Sequence, residues 1–170
     1  MVDILTCGWS ALQTLRNQNF KLVLHAHRAG HAAFTKNQLH GIAMRPIARV
    51  ARIIGVDQLH VGTVVGKMSE TKAEVLENID ACKGELGDLR PVLPVASGGL
   101  YPALVPALLQ TFGNDVVLQA GGGIHGHPEG TIAGAKAMRQ AVDATLGGKT
   151  LEDYAKAHKE LSLALKHWKS

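Results

Sequence analysis

Four short stretches of this chain hold most of its chemically versatile residues. They read His25-Ala26-His27-Arg28-Ala29-Gly30-His31, His60-Val61-Gly62-Thr63-Val64-Val65-Gly66-Lys67, Ser97-Gly98-Gly99 and Gln119-Ala120-Gly121-Gly122-Gly123. In the first, the titratable His27 stands beside the permanently charged fork of Arg28, a pairing suited to a phosphorylated, enolisable substrate. His60 would complete that anion site from the second stretch. His25 and His27 are two apart, so on a strand they share a face. That spacing suits a metal or a hydrogen-bonded structural role. No acidic residue or cysteine lies at a matching short spacing to favour the metal, and the structural role is preferred for His25. His31 also reads as structural.

The two glycine-rich stretches allow positive φ and close approach of a ligand to the backbone, and their successive N–H groups can form an anion nest. One Gly-Gly is also simply a tight turn; two, the first carrying the Ser97 hydroxyl, point to one phosphate site. Gln119 is either a second polar contact or a satisfied core amide. Lys67, between Gly62 and Gly66, is either a solvated charge or a group that swings in to stabilise a developing oxyanion. His125 and His127 read as surface or supporting residues, and Asp57, Asp115 and Glu129 as loop or cap acids.

What must position these stretches is a series of strands, each followed by a helix. The expected strands are Val2 to Leu5, Leu22 to His27, Gln58 to Thr63, Pro91 to Ala96 and Val116 to Gln119. Each chemical stretch then falls at the carboxyl end of a strand, where parallel β/α proteins bind ligands. The spacing predicts helices around Ser10 to Arg16, over Ile42 to Ile54 with Pro46 in the first turn, and over Leu104 to Phe112. Thr71-Lys72-Ala73-Glu74 opens another with a capping box, its inner face being Ala73, Leu76, Ile79 and Cys82. Helices over Thr131 to Leu146 and Leu151 to Trp168 follow. The last presents Leu151, Tyr154, His158, Leu161, Leu165 and Trp168 as one stripe. A complete β/α barrel takes about 250 residues, so these 170 residues read as a single segment of a barrel cut inside a strand. No strand ends in a dinucleotide fingerprint.

Composition narrows the class. Apolar residues make up 46% and charged residues 19%, which is globular. No apolar run approaches the roughly 18 residues that span a bilayer, and the first residues lack a signal-peptide pattern. The net charge of +4 comes from scattered basic residues, with few aromatic side chains for base stacking, so neither nucleic acid nor membrane is an expected partner. Cys7 and Cys82 read as reduced, partly buried thiols in a cytoplasmic setting.

Taken in order, with Leu93-Pro94-Val95-Ala96 and the Gly126-His127-Pro128 turn, the four stretches resemble the large subunit of ribulose-1,5-bisphosphate carboxylase/oxygenase (Rubisco). The resemblance runs from Met1-Val2-Asp3 through the helix holding Ala135 to Ala144, and the short helix-loop over Glu70 to Arg90 is similar to the compact archaeal form III type. It implies an α/β fold, the C-terminal portion of a TIM (β/α)8 barrel, about strands 4 to 8 with their helices. It also implies that His27 accepts a proton beside the substrate hydroxyls, and that Arg28 and His60 bind one substrate phosphate. By the same resemblance Lys67 stabilises the carboxylation transition state. Ser97, Gly98, Gly99, Gln119, Ala120, Gly121 and Gly122 hold the substrate backbone and the other phosphate. Ribulose bisphosphate and CO2 are the implied substrates, 3-phosphoglycerate the product, and nucleotide salvage the archaeal setting. The implied assembly is a homo-oligomer of catalytic dimers.

Departures bear on activity. The family's magnesium is held by a carbamylated lysine with Asp and Glu in a Lys-x-Asp-Glu arrangement, and no such run occurs here. No metal ligand is assigned to this chain; Mg2+ and the first proton abstraction are expected to come from a complementing N-terminal portion. Two rival readings stand beside a carboxylase piece: a Rubisco-like enolase or isomerase of sulfur salvage, and a non-catalytic phosphate-binding half-barrel.

Overall fold

The computed structural model describes residues 1–37, 39–65 and 70–168. These fall into two compact units. The first comprises Met1–Gly62, Glu70–Ala96 and Asp115–Val117; the second comprises the described residues among 63–69, 97–114 and 118–170.

The first unit alternates strand and helix: β1 (Val2–Asp3), α1 (Ile4–Cys7), α2 (Trp9–Asn17), β2 (His25–His27), α3 (Ala32–Thr35), α4 (Met44–Ile54), β3 (Gln58–His60), α5 (Lys72–Lys83) and β4 (Leu93–Ser97). Strands β1 to β4 pair in parallel, with Val2 opposite Ala26, Ala26 opposite Leu59 and Leu59 opposite Pro94. β5 (Val117–Gln119) completes the sheet order β1-β2-β3-β4-β5. Parallel neighbours need crossover connections, and helices supply them.

The strands are shorter than the sequence suggests. Ile4 and Leu5 leave the first strand for α1, and Ile4 is wholly buried there. Leu22 and Val23 are exposed rather than part of a buried run. The register explains this: β1 begins to pair at Val2 opposite Ala26, so residues 22–24 lie ahead of that pairing. Leu24 is held instead by Asp57, whose Oδ2 accepts the Leu24 N–H at 2.6 Å and a bond from Arg16 at 2.6 Å. Asp57 thus pins the starts of neighbouring strands, more than an ordinary loop acid does.

Helix α4 starts at Met44 rather than Ile42, with Met44, Ile47, Ala51 and Ile54 buried, Val50 exposed where the helical spacing would turn it inward, and Pro46 in its first turn. The Thr71–Glu74 capping box at α5 is present, but the inner face is rotated. Val75, Asn78, Ile79 and Cys82 are buried, whereas Ala73 and Leu76 are exposed. The cause is polar: Asn78, 2% exposed, donates its amide N–H to the Val61 carbonyl at 3.3 Å. A reading based on apolar periodicity assigns no weight to that residue.

The second unit packs a 3₁₀ turn (Pro102–Leu104), α6 (Val105–Phe112), α7 (Gly122–His125), α8 (Gly130–Leu146), α9 (Leu151–Ala155) and α10 (Lys159–His167). Its core gathers Val105, Met138, Ala141, Ala144, Leu151, Leu161 and Leu165. The single C-terminal helix of the sequence reading is broken. His158 Nδ1–H donates to the Tyr154 carbonyl at 2.7 Å, taking the acceptor a continuous helix would give to the His158 N–H. The ring stacks on Tyr154 at 3.9 Å, and the chain extends at His158 before α10 restarts. No helix among the described residues is long and apolar enough to cross a membrane.

Arg52 is 4% exposed and has no carboxylate partner among the described residues. It donates to the carbonyls of Arg90, Leu89, Gly84 and Ala81 at 2.7 to 3.2 Å, closing the connection from α5 to β4. Replacing it by leucine strands these acceptors and should destabilise the chain by about 3 kcal/mol or more, read from urea unfolding. The two cysteines should also separate chemically. Cys7 is exposed, whereas burial pushes the Cys82 thiol up to about 12. Iodoacetamide at mildly alkaline pH should modify Cys7 alone in the folded chain and both thiols in urea.

Candidate functional site

Along β2 and at the carboxyl end of β3 three imidazoles converge. Ala26 is buried on one face of β2, so His25 and His27 share the other, as their two-residue spacing requires. His60, 5% exposed, ends β3 beside them. Its ring lies 4.6 Å from that of His27 and 4.9 Å from that of His25, both edge-on. His27 Nδ1 accepts the Ala29 N–H at 3.1 Å, so a neutral His27 carries its hydrogen on Nε2 and offers a donor there. His25 is fully engaged: Nδ1 meets Gln58 Oε1 at 2.6 Å and Nε2 meets His60 Nε2 at 2.8 Å. The structural role read for His25 holds. Gln58, its register partner on β3, is a participant the sequence reading missed.

Arg28 follows β2 and is 5% exposed. Its guanidinium pairs with Glu70, itself only 10% exposed, and Glu70 also lies 3.6 Å from His31 Nε2. Arg28 Nη1 and Glu70 Oε2 are buried without hydrogen-bond partners among the described residues. Burial holds His31 below the ordinary histidine range, helped by the Arg28 charge and opposed by Glu70. His31 is therefore structural, donating to or accepting from Thr35 at 3.0 Å through Nδ1. Glu70 carried no signal in the sequence, because an acid in a polar segment usually faces water. Arg28 as placed is a buried cation with one satisfied face and one orphaned donor, which is the chemistry an oxyanion seeks. Lys67 lies outside the described residues.

In the second unit Gly123 lies against the Leu100–Tyr101 backbone, which follows the first glycine turn. Gly98 and Gly99 have φ of 114° and 66°, the left-handed region that glycine enters freely. Gly121 does not, and Gly122 and Gly123 are already helical in α7. A methyl group on Gly123 would collide with the Leu100 carbonyl and lie 2.7 Å from Tyr101 Cα. Gly123 is thus needed for close packing against the first turn, and that packing sets Ser97, Gly98 and Gly99 beside the start of α7. Gln119 is exposed, which removes the core-amide alternative. His125 is exposed, but His127 is not a surface residue: at 4% exposure it accepts the Glu129 N–H at Nδ1 and donates from Nε2 to the Glu160 carbonyl, tying α10 to the start of α8.

Residues 1–168 match the family model described as ribulose bisphosphate carboxylase large chain, catalytic domain. The chain belongs to the Rubisco large-chain family. It is 51% identical to the ribulose bisphosphate carboxylase of Methanosarcina mazei, covering 99% of this chain and 43% of that protein. It is 54% identical to that of Pyrococcus furiosus, covering 99% and 40%. The crystal structure of octameric Rubisco from Pyrococcus horikoshii, in complex with sulfate ion, superposes with a TM-score of 0.94 at 51% identity, over 98% of this chain and 40% of that one. The chain thus spans about two fifths of the length of these relatives, and its parallel β/α run is part of the Rubisco barrel. Among the described residues no three His, Cys, Asp or Glu side chains are grouped to hold a metal ion, and the Lys-x-Asp-Glu run is absent from the sequence.

The Arg28–Glu70 pair makes a direct test of the first unit. Glu70→Ala leaves a buried guanidinium uncompensated and should cost about 3–5 kcal/mol in urea unfolding. Replacing both partners, Arg28→Met with Glu70→Leu, should recover most of that loss.

Proposed function

We propose that this chain carries the strand-end residues with which a Rubisco large chain grips ribulose bisphosphate, and that it serves carboxylation of that substrate by CO2 to 3-phosphoglycerate. The observation that supports this best is the convergence of His27 and His60, with buried Arg28 following at the same strand end, in a chain that matches the family over its length. Arg28 and His60 would supply charge and N–H donors to one phosphate. His27, its hydrogen on Nε2, first donates to a substrate oxygen there; it becomes a proton acceptor only through the tautomer that gives up the Ala29 bond. In the second unit Ser97, Gly98, Gly99, Ala120, Gly121 and Gly122 would hold the other phosphate through hydroxyl and backbone N–H groups, with exposed Gln119 beside them. Lys67 is proposed to stabilise the carboxylated transition state.

Because the sequence has no Lys-x-Asp-Glu run, the metal ligands and the first base are proposed to come from the remaining portion of the large chain, within a homo-oligomer of catalytic dimers. Ribulose bisphosphate and CO2 are the proposed substrates, and a cytoplasmic nucleotide-salvage setting is proposed from the family resemblance alone.

The chain should be assayed with ribulose bisphosphate, labelled bicarbonate and magnesium, alone and co-expressed with the N-terminal portion of an archaeal relative. Phosphoglycerate is expected only from the combination. In that assembly Lys67→Ala should abolish carboxylation while proton exchange at the substrate carbon persists. Phosphoglycerate from the chain alone, or equal loss of both steps in the variant, would overturn the respective assignment.

A further inference from the structure

The buried Arg28–Glu70 pair is incomplete. One arm of the fork, Nη2, donates to Glu70 Oε1, while Arg28 Nη1 and Glu70 Oε2 are both buried with no hydrogen-bond partner among the described residues. Arginine and carboxylate pair best fork to fork, through two parallel bonds; this pair makes one. A phosphate ester dianion, with three terminal oxygens, can accept from both arms, so Glu70 is the poorer partner. Charge decides whether such an anion joins the pair or replaces half of it. The cavity beside the pair is lined by Arg28 and Arg45 and by three carboxylates, Glu70, Glu74 and Glu77. Arg45 is already bound to Asp80 at 2.8 Å. His31 adds no fixed positive charge, because burial, and then the Arg28 guanidinium, hold it below the ordinary histidine range. A dianion that joins Arg28 with Glu70 in place meets an excess of like charge, whereas one that takes the place of Glu70 meets a freed guanidinium. The chain allows that exchange. Glu70 precedes Thr71, the N-cap of α5, and the capping box of Thr71 with Glu74 fixes the helix start without it.

We propose that Glu70 caps Arg28 as an internal stand-in for phosphate, and that an oxyanion binds this site by displacing the Glu70 carboxylate into solvent. The proposal rests on the reading that Arg28 grips a phosphate. It makes the pair an autoinhibitory contact: the bond that steadies the empty site lowers its affinity for the anion, and the anion weakens the bond to the same degree.

Sulfate is the probe, on the full chain at neutral pH, with chloride at equal ionic strength as the reference. Glu70→Gln keeps the length of the side chain without its charge, Glu70→Ala removes the carboxylate, and Arg28→Met with Glu70→Leu removes both partners. Calorimetry should show Glu70→Gln binding sulfate about tenfold more tightly than the wild type, and no such site in the double variant. In urea, sulfate should return the unfolding midpoint of Glu70→Ala most of the way to the wild-type value, because the anion replaces the missing carboxylate on Arg28. The double variant reports the general effect of sulfate on folded proteins and should shift less. A carboxylate that merely holds Arg28 in place predicts the reverse, with weaker binding by Glu70→Gln. If Glu70→Ala fails to fold, calorimetry on Glu70→Gln and the double variant decides. Sulfate bound no more tightly by Glu70→Gln than by the wild type, but lost in the double variant, overturns displacement and leaves the phosphate reading standing. Sulfate bound alike by all these chains, or by none of them, overturns both.

Discussion

The chemistry of the first unit depends on one alignment, the parallel register that sets Ala26 against Leu59 and Leu59 against Pro94. A slip of one residue would turn His60 to the opposite face from His25 and His27 and break the cluster. The strands are only three to five residues long in β2 to β4, so ladder bonds alone hold the register weakly. Side chains reinforce it at both ends. Asp57 ties the start of β3 to Leu24 and Arg16, and its backbone accepts from Leu93. Beyond the carboxyl ends, Val61 donates to Val95, and Asn78 reaches from α5 to the Val61 carbonyl.

Two buried arginines show how the same residue type serves different ends. Arg52 directs four hydrogen bonds to backbone carbonyls, so that all three of its nitrogens are engaged. Such a guanidinium ties the loop from 84 to 92 to the end of α5 through carbonyls that its own turn at Leu86–Leu89 does not use. Arg28 is instead balanced by the Glu70 carboxylate, and its Nη1 has no hydrogen-bond partner among the described residues. A fully satisfied arginine is structural, whereas an incompletely satisfied one stores binding capacity at a cost in stability.

The second unit makes a parallel point with glycine. Gly98 and Gly99 are required by backbone conformation, but Gly123 is required because α7 lies directly on the Leu100–Tyr101 backbone. His127 and Gln140 then lock α10 in place, the latter by accepting the Leu161 N–H and donating to Glu160. The glycine run that looks like one anion nest therefore divides into residues that shape a turn and a residue that permits packing.

The sequence by itself determined the order of strands and helices, the position of each chemical stretch at a strand end, the capping box at Thr71 and the family resemblance. These follow from local rules: β/α alternation, capping geometry and residue spacing need no distant partner. Only the tertiary structure decided where strands stop, which face of α5 turns inward, that α9 and α10 are separate, and that Glu70 and Gln58 belong to the site. Each of those depends on a bond to a residue far along the chain or on a polar side chain competing for a backbone acceptor. Asn78 reaching Val61, His158 taking the Tyr154 carbonyl and Glu70 meeting Arg28 are invisible to periodicity, because the energy lies in a contact rather than in a pattern.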